Sequence, residues 1–295
     1  MNSPISSGTS SEKVPAVNPF SEFSIGSLLL RMGKINSEDA ERIMRLHKEK
    51  GMRFGEAAQS LGLINEADIQ QVLARQFDYP YLVQDQGPYT PELVTAYQPF
   101  SAKAEVMRAI RSQLMLHWFS TGRKALAVSS VNSGEGVSNF IANLAVVFAQ
   151  LGENTLLIDA NLRTPRQHSI FALNEQRGLS DMLAGRADAD VISRIDSFDN
   201  LSVLTAGTLP PNPQELICRP VFRDTVNQLS SRYDVVLIDA PAFAVGADVQ
   251  AISVVAGGTV VVVRKNVTRL ADVQESVELL RKNGSQVVGS TLVEF

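Results

Sequence analysis

The chain has 295 residues, 44% of them hydrophobic, and a formal net charge of −4. That length suits two domains with cores of their own, and the acidic balance excludes a general nucleic-acid binder. The lone Cys218 excludes an intramolecular disulfide and fits a reducing, cytoplasmic compartment. No apolar run reaches the length of a membrane-spanning helix; the longest, near Val254–Val263, is interrupted by glycine and reads as strand.

Residues 1–20 are rich in Ser, Pro and Gly without an apolar signal-peptide core, which predicts a disordered start. An internal repeat follows. Ser24–His47 and Arg53–Gln76 are blocks of 24 residues separated by a five-residue spacer. Gly26 matches Gly55, Gly33 matches Gly62, and Ile35-Asn36 matches Ile64-Asn65. Each block reads as a short helix, a glycine turn, an Asn cap and a second helix, which predicts a small helical domain over 21–83.

Four prolines within Phe77–Phe100 block regular helix and point to a linker over 84–100. Helical spacing resumes over Ser101–Phe119, where Glu105, Arg108 and Arg111 fall at i, i+3 and i+6, roughly on one face. That face is either a solvated, salt-bridged surface or a contact between subunits.

An α/β domain is predicted over 101–295. Lys124–Ser130 reads as a buried strand, and Asn139–Leu151 as a helix that begins just after Gly136. Between them, Gly134, Glu135, Gly136, Val137, Ser138 and Asn139 form a glycine-rich turn that offers backbone N–H groups and a helix N-terminus to an anion. Such a loop ordinarily ends in Gly-Lys-Ser, with the lysine on the β- and γ-phosphates and the hydroxyl on magnesium. Here Ser138 is kept and Val137 stands in place of the lysine. Thr155–Asp159 and Asp234–Asp239 are apolar strands that end in aspartate; Thr259–Val263 and Val287–Val293 read as further strands. Strands alternating with helices imply a parallel sheet whose ligands sit at the strands' C-terminal ends, which brings Asp159 and Asp239 to the glycine-rich loop. A dinucleotide fold is the rival. Gly134-Glu-Gly136 is part of its fingerprint and Asp159 suits a ribose hydroxyl, but Asp239-Ala-Pro stays unexplained.

Two resemblances extend this reading. The paired blocks resemble the N-terminal domains of type II secretion and pilus ATPases, one branch of which binds cyclic di-GMP. That resemblance implies a ligand site at Arg53, Gly55, Gly62 and Gln76, while Ser24 and His47 depart from it in the first block. A plain protein-docking domain is the alternative. From about residue 100 onward, LLIDANLRTPRQHSIF (Leu156–Phe171), GLSDMLAG (Gly178–Gly185), LTAGTLPPNPQELI (Leu204–Ile217) and YDVVLIDAP (Tyr233–Pro241) occur in order. With Glu105-x-x-Arg108-x-x-Arg111 they resemble the cytoplasmic domain of bacterial tyrosine autokinases that control polysaccharide chain length, built on a deviant P-loop NTPase fold.

The resemblance implies ATP and magnesium as ligands, with Ser138 and Asp239 on the metal and Asp159, Asn161 and Arg163 at the catalytic positions. Asn161 replaces the second carboxylate, and the tyrosine cluster expected at the C-terminus is missing beyond Tyr233. Arg163 and Arg166 are the cations placed to substitute for the lysine. The helix carrying Glu105, Arg108 and Arg111 is implied to form homo- or hetero-oligomers with a kinase paralogue. The implied partner is a membrane chain-length determinant of a polysaccharide export system, which would hold the chain at the inner membrane. A degenerate kinase acting as regulator is the expectation; an active autokinase and a cyclic di-GMP receptor are the alternatives. His117 and His168 are assigned to structure.

Overall fold

The computed structural model describes residues 24–76, 81–82 and 87–294, in two compact units, one before and one after residues 77–80. The expected disordered start lies outside the described residues.

The first unit contains α1 (Ile25–Arg31), α2 (Ser37–Lys50), α3 (Phe54–Ser60) and α4 (Glu66–Gln76), two helix–turn–helix repeats as the duplicated blocks predict. α1 and α3 are each followed by a glycine in the left-handed region, Gly33 (φ +66) and Gly62 (φ +67). Asn36 then caps α2 reciprocally with Asp39, and Asn65 and Asp68 exchange the same pair of bonds at the start of α4. The apolar positions close a core around Leu29, Ile43, Ala57, Ala58 and Val72, all fully buried.

The second unit is built on a seven-stranded sheet. In chain order its elements are α5 (Val94–Tyr97), α6 (Ala102–His117), β1 (Ala125–Ser130), α7 (Val137–Gln150), β2 (Thr155–Asp159), α8 (Gln167–Ile170) and α9 (Leu179–Leu183). There follow β3 (Ser193–Arg194), β4 (Leu201–Leu204), α10 (Pro213–Ile217), α11 (Pro220–Ser230), β5 (Val235–Asp239), α12 (Asp248–Ala256), β6 (Gly258–Arg264), α13 (Leu270–Lys282) and β7 (Gln286–Val293). The strand order is β3-β4-β2-β5-β1-β6-β7, parallel throughout except for the antiparallel β3–β4 edge.

The two-residue side-chain period of β1 sorts its residues between two cores. Leu126 and Val128 pack with α5, α6 and α7 on one face, Ala125 and Ala127 with α11 and α12 on the other. β5 lies between β1 and β2, so the strand ending in Asp239 separates the two strands that a dinucleotide-binding sheet would place side by side. The P-loop reading stands and the dinucleotide reading falls. Asp159 and Asp239 are direct register partners across β2 and β5.

The linker expected over 84–100 is corrected from Gly87 onward. Leu93 and Ala96 are fully buried against the α/β core, and Thr95 bonds Asn143 of α7. Leu82, placed by sequence in the helical domain, donates its N–H to Ala96 and packs on the same core. Proline prevents a long helix here but does not prevent burial, and the single turn of α5 presents enough apolar surface to be held.

Trp118, fully buried after α6, donates from Nε1 to the carbonyl of Ala125 at 3.0 Å and closes the sheet beside Gly258. A Cβ at Gly258 would meet the Trp118 ring at 2.2 Å. Gly258→Ala is therefore expected to destabilise the α/β unit by roughly 1–3 kcal/mol, read as a lower urea midpoint, because the buried indole cannot give way without losing its bond.

Candidate functional site

The glycine-rich turn after β1 is shaped from within. Gly134 (φ +80) and Gly136 (φ +82) take left-handed conformations, and α7 begins at once without a side-chain cap. Its first-turn N–H groups are thus left for an anion. Glu135 lies in the turn that lines the cleft and also supports it: its buried carboxylate accepts from the backbone and side chain of Asn132 and from Thr268 Oγ1. Ser129 Oγ donates to the carbonyl of Pro241 at 2.7 Å, tying β1 to the turn after β5.

A cleft of about 240 Å³ opens over this turn, lined on one side by Gly134–Ser138 and on the others by Asn161, Thr164–Arg166 and Asp239–Ala242. Asn139 is not among its walls. It accepts from Asn143 Nδ2 and lines an adjoining, mostly apolar cavity of about 510 Å³, shared with Lys103, Met107, Phe140 and Val293. Val137 faces the cleft and also packs on the apolar core.

The two strand-end aspartates have different roles. Asp159, fully buried, accepts backbone N–H bonds from Asn161 (3.2 Å), Arg166 (3.0 Å) and Gln167 (3.0 Å), so its carboxylate folds the following loop rather than facing a ligand. Asp239, also fully buried, accepts from Gln167 Nε2 at 2.7 Å through one oxygen, and its other oxygen has no hydrogen-bond partner. An orphaned buried carboxylate oxygen beside Ser138 is the donor set of a hard cation, and it fits magnesium. Ser138, Asp239 and the open helix N-terminus therefore suit a magnesium-bound phosphate chain.

The remaining predicted residues divide. Asn161 lines the cleft, but its side chain closes a turn: Oδ1 accepts from the N–H of Thr164, and Nδ2 donates to the carbonyl and hydroxyl of the same residue. Arg163 is drawn off to Asp248, Nε to Oδ2 2.9 Å, a carboxylate 2% exposed, and lies outside the cleft walls. Arg108 bonds Glu105 and the carbonyl of Pro99, while Arg111 donates to the carbonyl of Val147 in α7, so both arginines serve the fold of their own chain. In the helical unit Gly55 packs against Ile69, Gly62 makes a turn, and Arg53 precedes α3 with its N–H on Glu56. The side chain of Gln76 lies outside the described residues.

Sequence reasoning missed Gln167. Fully buried, it donates from Nε2 both to Asp239 and to the carbonyl of Ser138 (3.0 Å), cross-linking the end of β5 to the P-loop helix. It carries no charge and follows the Arg163–Arg166 stretch without a periodic pattern, so nothing in its spacing singles it out. The motifs Gly178–Gly185 and Leu204–Ile217 prove to be one structural joint. Asp181 accepts from Gly178 and Thr208, and a Cβ on Gly207 would meet the Gly178 nitrogen at 2.3 Å.

Burial pushes the Asp239 carboxyl up to about 6, against the lowering pull of the Gln167 bond, the nearby Ser138 hydroxyl and the Arg166 charge. Burial, and then the charge of Asp239, holds Asp159 well above the usual carboxylate range. A carboxyl whose pKa is raised by folding stabilises the fold while protonated, and that contribution is lost as pH rises from the unfolded value through about 6. Asp239→Asn is thus expected to raise the melting temperature of the metal-free α/β unit at pH 8, by roughly 1–3 kcal/mol of stability, with the gain gone at pH 4. Calorimetric scans at the two pH values check it.

Comparison with known proteins agrees with this geometry. Residues 123–274 match the family model of the cellulose biosynthesis protein BcsQ. The chain is 35% identical to CapB of Staphylococcus aureus over 66% of its own length and 86% of that protein's. It is 32% identical to the tyrosine-protein kinase YwqD of Bacillus subtilis, covering 68% of this chain and 84% of YwqD. Against the tyrosine-protein kinase wzc of Salmonella typhimurium the identity is also 32%, but the chain spans only 28% of that longer protein. Among solved structures, the kinase domain of Escherichia coli tyrosine kinase ETK superposes with a TM-score of 0.68 at 27% identity, covering 74% of this chain and 86% of ETK's. The chimerical protein CapA2B2 gives 0.65 at 33%, covering 75% and 97%. A MinD protein of Pyrococcus horikoshii, 22% identical with a TM-score of 0.51 over 58% of this chain and 70% of MinD's, shares the fold. With the P-loop, the two strand-end aspartates and the strand order all in place, the chain belongs to the bacterial tyrosine-protein kinase family.

Proposed function

We propose that this chain is a regulatory, kinase-like subunit of exopolysaccharide synthesis or export that binds Mg-ATP and transfers phosphate poorly or not at all. The observation that carries the reading is a division within one cleft. The groups that bind a magnesium nucleotide are kept: the Gly134–Gly136 turn, the uncapped α7 N-terminus, Ser138 and the orphaned oxygen of Asp239. Two groups that would serve phosphoryl transfer are replaced: Val137 lies where the lysine would be, and Asn161 is held in a turn. Removing one well-placed electrostatic contact from such a site costs roughly 3–4 kcal/mol of barrier, and phosphoryl transfer rests almost wholly on such contacts.

Magnesium, when bound, would neutralise phosphate charge; Ser138 and Asp239 are the residues that would hold it. The relatives' names, tyrosine-protein kinase and cellulose biosynthesis protein, support the link to polysaccharide assembly. We assign the helical unit to docking on a protein partner, a membrane chain-length determinant being the one the family resemblance implies. Its glycines serve packing and turns, which favours docking over cyclic di-GMP binding. No helix among the described residues is long and apolar enough to cross a membrane. Attachment to the inner membrane through such a partner belongs to the same reading. Oligomerisation, with itself or with a kinase paralogue, is part of the same reading.

The test is calorimetric titration of the full chain with Mg-ATP, followed by incubation with γ-labelled ATP. The expected outcome is saturable binding without phosphotyrosine and without steady turnover. Phosphotyrosine or sustained hydrolysis would establish an active autokinase or ATPase instead, and an absence of binding would leave a nucleotide-free scaffold.

A further inference from the structure

We propose that Arg166 supplies the cation on the nucleotide's β- and γ-phosphates that position 137 does not provide. This rests on the nucleotide-binding reading above and adds the residue that makes it electrostatically complete.

Among the described residues that line the cleft, Arg166 is the single lysine or arginine. The other candidates are placed elsewhere: Arg163 is paired with the buried Asp248, and Lys103 lines the adjoining cavity. Arg166 has a fixed root and an adjustable end. Its N–H and that of Gln167 both donate to one oxygen of Asp159, at 3.0 Å each, which pins the backbone at the cleft wall. Its side chain is 53% exposed and pairs with Glu92 (48% exposed) at 3.2 Å. An exposed ion pair of that kind is weak, whereas a guanidinium offers phosphate a planar, doubly donating partner.

Arg166 borders both the cleft and the neighbouring cavity, so Glu92 and a phosphate chain would compete for it from two sides. The cation then comes from the loop after β2 instead of from the P-loop helix. That relocation leaves Val137 free to pack on the core while the cleft keeps one positive charge.

The experiment is titration of the full chain with Mg-ATP, Mg-ADP and AMP, for the wild type and for Arg166→Ala, Glu92→Gln and the double variant Arg166→Ala/Val137→Lys. Arg166→Ala is expected to weaken ATP and ADP roughly ten- to a hundredfold while changing AMP little. Glu92→Gln, which removes the competing carboxylate, tightens ATP binding, and Val137→Lys restores affinity in the Arg166→Ala background. A wild type that binds Mg-ATP and an Arg166→Ala variant that binds it equally well overturn the proposal alone. A wild type that binds no nucleotide overturns the underlying reading and this inference with it. Should Arg166→Ala fail to fold, Glu92→Gln decides: unchanged or weaker ATP binding in that variant also overturns the proposal.

Discussion

The acceptance of three backbone N–H bonds by one buried carboxylate, Asp159, is the constraint on which the site depends. A carboxylate taken out of water must have its lone pairs met, and here the chain that follows β2 meets them by folding back over the strand end. That fold-back sets the loop from Ala160 to Gln167. It seats Asn161 at the mouth of the cleft, Arg166 on its wall and Gln167 beneath it. Because β2 and β5 pair in register at Asp159 and Asp239, the two carboxylates are neighbours, and Gln167 can reach the second while its own N–H is held by the first. The raised pKa values follow from the same crowding. Two acids share a dry strand edge, and a bound cation would relieve the burial of Asp239.

Much of this was legible in the chain. The duplicated blocks, with glycine turns and Asn caps, specify the helical unit through local chemistry alone, and each feature recurs in the structure. The glycine-rich turn and the apolar strands ending in aspartate likewise announce themselves by local pattern. What stayed hidden depends on contacts far apart in sequence. The turn at α5 reads as linker because its prolines are visible and its binding site on α7 is not. The family resemblance puts Arg163 at a catalytic position, and its pairing with Asp248, 85 residues away, is invisible in the sequence. The β3–β4 edge goes unremarked: β3 is two residues long, and β4 shows no polar alternation because every residue is buried.

Asn161 shows why the replaced residues are more than missing charges. An aspartate in the same place would accept from the N–H of Thr164 as Asn161 does, but it has no N–H to give the Thr164 carbonyl. The asparagine is thus matched to the turn it closes. Val137 is matched in the same way, one face on the cleft and the rest against the apolar cluster beneath α7. A carboxylate placed at position 161 would forgo the bond that Nδ2 gives to the Thr164 carbonyl. The side chains of Glu135, Asn161 and Gln167 are used to hold the loops in shape, while α7 starts without a side-chain cap and one Asp239 oxygen has no hydrogen-bond partner. Binding and chemistry are separable in such a site. A cradle made mostly of main chain keeps its shape when single side chains along it are replaced.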